Sequence, residues 1–537
     1  MAAHEPAEEP VRHLQGVAAR PERERTGFPW RRGHLRSGDI QLYGLCEAGT
    51  SFIVYSAIVF GPWALGSTQR WSTWVMNVLG YVLGLMLAGK LVVRAKRYRP
   101  SRWDAGFSSH ASDLDDRWLT PSRLTAALAS LTIAILLYCL VSAINARSSY
   151  SAADGSFIYH DCIRWLPHSL DRQRTWLAFW DYLGLSCLFW ATRDWLLGKS
   201  GDEERIVRNK PGAGKAEAAL FFPARLRRLL WVLAVSGGLL GLEGILQRAF
   251  KSDSLLFLVR PRDSWGWWIQ WDSQFASYAY RANAAQYFNL LWPVVLGFWW
   301  TLHLSRGFKR RSHHWLLVCG VIMAACPIIS TSRGGALISA GLVVLAAFFL
   351  LVSHFLLVAH RQEKAGTRRL TMAVILIFSL TALGIGYWLG WRALGPRMAQ
   401  FDEGLAYRGQ MYAAARPMAA DYPVYGTGPG TFENVFQMYR ITLATYWPAQ
   451  LHNDWLETRI TFGWVGSALI ALAFAAVLGR WFVRGGIHGG RRFVILTWLA
   501  LAGVLAHARF DFPLQIYSIL HLFLVLCAVL FTLSRRP

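Results

Sequence analysis

The sequence predicts an all-α integral membrane protein of about twelve transmembrane helices, with a long, partly helical loop on the outer face before the last three. Three observations carry this reading. The 537-residue chain is 54% hydrophobic with a mean hydropathy of +0.27. Apolar runs long enough to cross a bilayer recur along it. Lys and Arg gather in alternate links between those runs, the asymmetry that orients membrane proteins. Length alone would allow several soluble domains, but the apolar runs override that prior.

Taken in order, residues 1–46 are rich in Pro, Glu and Arg and have little to bury, so they read as a disordered cytoplasmic tail. No apolar core of a cleavable signal precedes Ile40, and the first span is expected to act as the insertion signal. The block 47–390 holds nine expected spans, at 50–66, 74–93, 124–144, 176–197, 229–247, 284–304, 314–331, 336–358 and 370–390. Residues 462–537 hold three more, at 462–479, 493–508 and 516–533. Several runs are short or contain Gly, which leaves a count of ten or eleven open. Between the two blocks lies 391–461, the large outer loop. Turn signals at Asp421-Tyr422-Pro423, Gly426-Thr427-Gly428-Pro429-Gly430 and Tyr446-Trp447-Pro448 break it up, so short helices joined by turns are expected there. A loop of this length is usually functional.

The net charge is +24. Its distribution points to the membrane rather than to nucleic acid. With both termini cytoplasmic, the basic links are inside, Arg94, Lys96, Arg97 and Arg99 in one and Lys309, Arg310 and Arg311 in another. Such links need only the lipid surface as partner, and no nucleic-acid recognition motif accompanies them. Of the seven Cys only Cys162 falls in an outer loop, so no extracytoplasmic disulfide is expected. No Cys/His spacing resembles a zinc site, and no metal is expected.

A few polar residues stand out. Arg333, in Ser332-Arg333-Gly334-Gly335, sits at the outer turn between the seventh and eighth spans. A guanidinium near the membrane must be paired or face water, and its planar fork suits phosphate oxygens. The alternative is an arginine snorkelling to the headgroups. Arg408 lies in the long loop and by itself reads as a solvated surface arginine. The backbone of Gly428 and Gly430 could present N–H groups to an anion, or simply form a turn. His452 stands beside Asn453 and Asp454 just before a span, and imidazole is a natural general base. The turn His507-Ala508-Arg509-Phe510-Asp511-Phe512-Pro513-Leu514 is a further polar knot, where an Arg509–Asp511 pair reads as structural. Trp265, Trp267, Trp268 and Trp271 could stack on sugar faces, although an interfacial aromatic belt is the simpler account. Asp113-Leu114-Asp115 has the look of a nucleotide-sugar metal motif, yet it sits in a charged cytoplasmic linker.

Singly these signals are weak, but their order is not. Ser-Arg-Gly-Gly between two spans is followed by Arg408 and Asp421-x-Pro423-x-x-Gly426-x-Gly428-Pro429-Gly430-x-Phe432. Then come His452-Asn453-Asp454-x-Leu456-Glu457 with Gly463 and Gly466, and finally His507-x-x-x-Asp511-Phe512-Pro513-Leu514. Over roughly 281–520 this resembles the O-antigen ligase and O-antigen polymerase superfamily of bacterial inner-membrane proteins. The first half is similar only in hydropathy and loop placement, with Trp165-Leu166-Pro167 a faint echo.

The resemblance implies a glycosyltransferase acting at the periplasmic face without metal or other cofactor. Its implied donor is a glycan on undecaprenyl diphosphate, and its acceptor lipid A–core or a growing glycan. Arg333 and Arg408 would bind the diphosphate and steady developing charge, and His452 would orient or deprotonate the acceptor hydroxyl. Gly428, Gly430, Asn453, Asp454 and Arg509 would help to bind substrate. Two departures stand beside this: Met411-Tyr412 follow Arg408 where the family often has Trp, and an upstream Asn-rich motif is reduced to Arg281-Ala282-Asn283-Ala284. Arg281 and Asn283 are therefore further substrate-binding candidates. A polymerase and a protein O-oligosaccharyltransferase share these motifs. A solute transporter is the reading from another class, although transporters place their polar groups near the midplane.

Overall fold

Each of the twelve apolar runs lies on a helix. The computed structural model describes residues 35–96, 98–103, 121–209, 222–262, 272–304, 311–358, 365–440, 449–478 and 490–533. Helices α1 (Ser37–Trp63), α2 (Arg70–Ala95) and α3 (Pro121–Ile144) are followed by a hairpin, β1 (Ser148–Ser151) and β2 (Ser156–Tyr159). Then come α4 (Arg172–Leu196), α5 (Gly201–Asn209), α6 (Ala224–Ala249), α7 (Arg281–Leu304) and α8 (Trp315–Ile329). The chain continues with α9 (Arg333–Val358), α10 (Ala365–Ala399), α11 (Phe401–Asp421) and α12 (Phe432–Val435), and closes with α13 (Asp454–Leu478), α14 (Arg491–His507) and α15 (Tyr517–Leu533). The tryptophan cluster at 265–271 and the Asp113–Asp115 motif lie outside the described residues.

Eight of these helices are long and apolar enough to cross a membrane, and α14 and α15 are shorter apolar helices. The protein is a mainly helical, multi-pass membrane protein. Helices α4 and α7 fall short of the eight by composition. The first carries Arg172, Arg174, Asp181, Arg193 and Asp194, and the second Asn283, Gln286 and Asn289. Helix α7 is buried from Ala282 to Leu302, and α4 from Ala191 to Leu196, where Arg193 and Asp194 lie. A helix covered on all sides can carry amides that a lipid-facing helix could not.

Several boundaries differ from the sequence reading. Helix α1 begins at Ser37, inside the stretch read as tail, where the Arg36 N–H donates to the Asp39 carboxylate at 3.0 Å and starts the first turn. The ninth run extends past 390 to Ala399, and α11 is a single helix of 21 residues rather than a set of short ones. The basic links are also not all free for lipid. Lys90 is fully buried and lies 3.0 Å from Glu47 and 2.9 Å from Asp194. Arg94 and Arg102 each stand 2.7 Å from the same Asp194, and Arg225 pairs with Glu47. These charges staple α1, α2, α4 and α6 together, because a cation at that depth is tolerated only when paired.

At the opposite end a break in α13 organises the polar face. Gly463 has φ +59° and ψ −166°, so the helix stops and restarts there, leaving carbonyls on one side and N–H groups on the other without helical partners. The 423–428 segment takes both. Thr427 and Gly428 donate to the carbonyls of Ile460 and Thr461 at 2.9 and 3.0 Å, and Trp464 and Val465 donate to those of Pro423 and Val424 at 3.0 and 3.2 Å. The Tyr138 hydroxyl closes the joint from α3 through the Tyr425 and Phe462 carbonyls, at 2.5 and 2.9 Å. A Cβ on Gly463 would meet the Val424 carbonyl oxygen at 2.2 Å. Gly463→Ala is expected to destabilise the fold by at least ~1–3 kcal/mol, the scale of one forced backbone outlier, read as a lowered thermal midpoint in detergent.

Candidate active site

The residues around His452 fix where its imidazole goes. The Leu451 N–H donates to the Glu457 carboxylate at 2.7 Å. His452 has a left-handed backbone, φ +56°, and its carbonyl accepts the Tyr412 hydroxyl at 2.6 Å. A side-chain-bearing residue in that region persists only when its surroundings hold it, and such residues gather at functional sites. Asn453 caps α13, its Oδ1 accepting the Leu456 N–H at 3.1 Å. Asp454 reaches across to the next segment: its carboxylate accepts the Leu514 N–H at 2.8 Å and the Gln515 amide at 3.1 Å. Its own N–H donates to the Ala508 carbonyl at 2.9 Å. That grip brings the 508–512 link beneath the imidazole.

Asp511 is the centre of the arrangement. Its Oδ1 lies 3.1 Å from His452 Nδ1, and its Oδ2 is 3.8 Å from both Arg408 Nη2 and His507 Nε2. The carboxylate is almost completely buried. Burial alone would raise its pKa, but the His452 hydrogen bond and the charges of His452, His507 and Arg408 outweigh it and hold the group below its ordinary value. Phe512 packs against the His452 ring at 4.7 Å and stacks on Tyr280 at 5.6 Å. Burial, followed by the Asp511 charge, pushes the Tyr280 phenol above its usual range. Tyr280 and Arg408 line the same cleft, so one tyrosine lies beside both the cation and the ring.

Beside this pair opens a cleft of about 190 Å³ lined by Arg281, Arg333, Arg397 and Arg408 together with Tyr280 and Asp511. The four come from four helices. Arg281 opens α7, Arg333 opens α9, Arg397 ends α10 and Arg408 lies in α11. Arg333 Nη1 donates to the Gln400 carbonyl at 2.5 Å, across the α10–α11 corner. Gly404 leaves room for that guanidinium, since a Cβ there would stand 2.5 Å from Arg333 Nη2. Asp272, 3.7 Å from Arg281 and 3.6 Å from Arg397, offsets part of the charge. The cleft remains cationic, and guanidinium forks converging on one small space suit an anion with several oxygens.

The structure thus brings Arg333, Arg408, His452 and Arg281 together and separates the rest. Gly428 and Gly430 are not part of the cleft. The Gly428 N–H caps the broken helix, and both glycines press on the start of α4, where Cβ atoms would meet Ser169 at 2.4 Å and Ala178 at 3.2 Å. Asn453 and Asp454 hold the His452 turn rather than face the cleft. Asn283 is buried on the first turn of α7, and its Oδ1 has no hydrogen-bond partner among the described residues. Arg509 is exposed and does not pair with Asp511, which belongs instead to Arg408, His452 and His507. Arg397, Tyr280 and Asp272 complete the site without having been singled out in the sequence.

Residues 318–471 match the family model described as O-Antigen ligase. That stretch is similar to the O-antigen ligase family. The matched stretch contains Arg333, Arg397, Arg408 and His452, whereas Arg281, His507 and Asp511 lie beyond it. The polar cluster is therefore closed by helices that flank the matched stretch. No curated protein matches the chain.

Proposed function

We propose that the protein is an O-antigen ligase-like glycosyltransferase. It moves a glycan from a polyprenyl diphosphate to an acceptor hydroxyl, that of lipid A–core, at the periplasmic face of a bacterial inner membrane, with both termini cytoplasmic. The observation that carries this is the single cleft in which four arginines meet beside a His–Asp pair. Outside the inner membrane no nucleotide supplies energy, so the donor must arrive already activated, and a diphosphate leaves readily once its charge is neutralised. Four guanidiniums can provide that neutralisation by themselves, and the transfer is accordingly proposed to be metal-independent.

In this reading Arg333 and Arg408 clasp the diphosphate, with Arg281 and Arg397 adding to the field. Asp511 orients His452 through Nδ1, which leaves Nε2 to accept the acceptor's proton. The acceptor oxygen bonds to C1 of the sugar as the C1–O bond to phosphate breaks, and the electron pair departs with the polyprenyl diphosphate. Direct attack inverts C1.

The test is reconstitution of the purified protein with a polyprenyl-diphosphate oligosaccharide and lipid A–core, without nucleotide and with or without a chelator. One chain transferred to lipid A–core, insensitive to the chelator, is the expected product. A ladder of repeats on the carrier would make the protein a polymerase, and glycan appearing on a protein acceptor would make it an O-oligosaccharyltransferase. Gradient-driven movement of a solute without any covalent product would overturn the enzyme reading altogether.

A further inference from the structure

At the end of the bundle remote from the cleft, three histidines converge. His303 ends α7, and His313 and His314 close the 3-10 turn Arg311–His314 that leads into α8. His303 lies 22 residues after Arg281 on the same helix, about 33 Å away at the helical rise, so this cluster stands apart from the transfer reading and does not rest on it. One ring nitrogen from each histidine lies within 4.8 Å of the other two. His303 Nδ1 and His313 Nε2 face one another at 3.4 Å.

The arrangement is unusual for adjacent residues in a tight turn. Side chains one position apart on a 3-10 turn point about 120° apart. The His313 and His314 rings nevertheless sit 4.1 Å apart, at 35°. Trp299, one turn before His303, stacks on that ring at 5.2 Å and 17° and fixes its orientation. His313 is buried, His303 half-buried and His314 exposed.

We propose that His303, His313 and His314 form a binding site for a single Zn²⁺ ion. Imidazole nitrogens are ligands of choice for zinc. Zinc–nitrogen bonds of about 2.0–2.1 Å in a tetrahedron place neighbouring nitrogens about 3.3–3.4 Å apart, and the His303–His313 pair already has that separation. The exposed His314 can close the remaining gap by a side-chain rotation, and water takes the fourth position. Bound zinc ties the end of α7 to the start of α8. In sequence the ligands read His303-x9-His313-His314, a spacing that matches no short zinc motif, because the end of α7 and the 3-10 turn before α8 bring them together.

The experiment uses the full chain in detergent, free of any polyhistidine tag and stripped of metal, titrated with Zn²⁺ by calorimetry and followed in parallel by thermal unfolding. One ion per chain and a raised unfolding midpoint are expected. His314→Ala, which changes an exposed side chain, and His303→Gln are each expected to weaken binding at least ~10-fold, the loss of one ligand, and to abolish the zinc-dependent stabilisation. Their metal-free unfolding midpoints report whether either variant has misfolded. Co²⁺ in place of zinc should give the visible bands of a tetrahedral nitrogen site in the wild type alone. Absence of stoichiometric binding by the wild type, or equal binding by His314→Ala and His303→Gln when both are folded, would overturn the assignment. Glycan transfer should be unchanged in His314→Ala.

Discussion

His452→Ala is expected to lower the turnover of glycan transfer by ~10²–10⁴-fold, the range over which a positioned general base acts, with little change in donor KM. The argument is geometric. His452 is held by its backbone, by Tyr412 and by Asp511 at 3.1 Å, and it lies beside the arginine cleft rather than among the residues that line it. Removing its ring would take away the proposed proton acceptor and leave the guanidiniums in place. Asp511→Asn separates orientation from charge. An asparagine fills the same space but carries no charge to balance Arg408 and His452, so turnover should fall by ~10-fold or more while donor binding tightens or holds. A matching loss of donor binding in both variants would move His452 from proton transfer to substrate binding. Assays are read as initial rates on purified, reconstituted protein, with the unfolding midpoint as a control for folding.

The sign of the acid response follows from Asp511. Its folded pKa lies below its ordinary value, so the stability it contributes is complete above the unfolded carboxylate value of about 3.9. It is lost only as pH falls through the lower folded value. Acid unfolding of the wild type should therefore include a component, absent from Asp511→Asn, that sets in as pH falls past the ordinary carboxylate value and is complete below the lower folded one.

Much of the fold was legible because apolar runs and basic links are local in sequence. Every expected span lies on a helix, and what escaped was the part decided by packing. The tail and the long loop both gave ground to helices, since α1 gains a start from Arg36 and Asp39, and α10 continues past the expected membrane edge to present Arg397. In the site, Arg333, Arg408 and His452 could be read from their order along the chain, while Asp511 could not be given its partners. Its neighbour in sequence is Arg509, yet its ion-pair and hydrogen-bond partners come from α11, the His452 turn and the end of α14. Gly428 illustrates the converse. A glycine-rich turn resembles an anion cradle in sequence, and only the break at Gly463 shows that the Thr427 and Gly428 N–H groups are already engaged.

The second large effect belongs to Arg408. Arg408→Ala is expected to reduce kcat/KM by ~10²–10³-fold, the loss seen when one donor aimed at developing charge is removed, or about 2.7–4 kcal/mol at 1.36 kcal/mol per tenfold. Arg408 stands 3.8 Å from Asp511 and lines the same cleft as Tyr280, so it links the arginine cleft to the His452–Asp511 pair. Arg408→Lys should recover only part of the loss, because an ammonium keeps the charge but not the planar fork that spans two phosphate oxygens. Arg333→Lys offers the contrast. Its guanidinium is anchored at 2.5 Å to the Gln400 carbonyl, so the shorter-reaching lysine should raise donor KM more than it lowers kcat. Affinity for a polyprenyl diphosphate without its glycan, measured by calorimetry at two salt concentrations, decides between binding and catalysis. If Arg408→Ala binds that ligand as the wild type does and still transfers glycan within ~3-fold of normal, the arginine cleft is not the diphosphate site. The four guanidiniums would then need an anion of another kind to explain why so much positive charge is gathered where α7, α9, α10 and α11 meet.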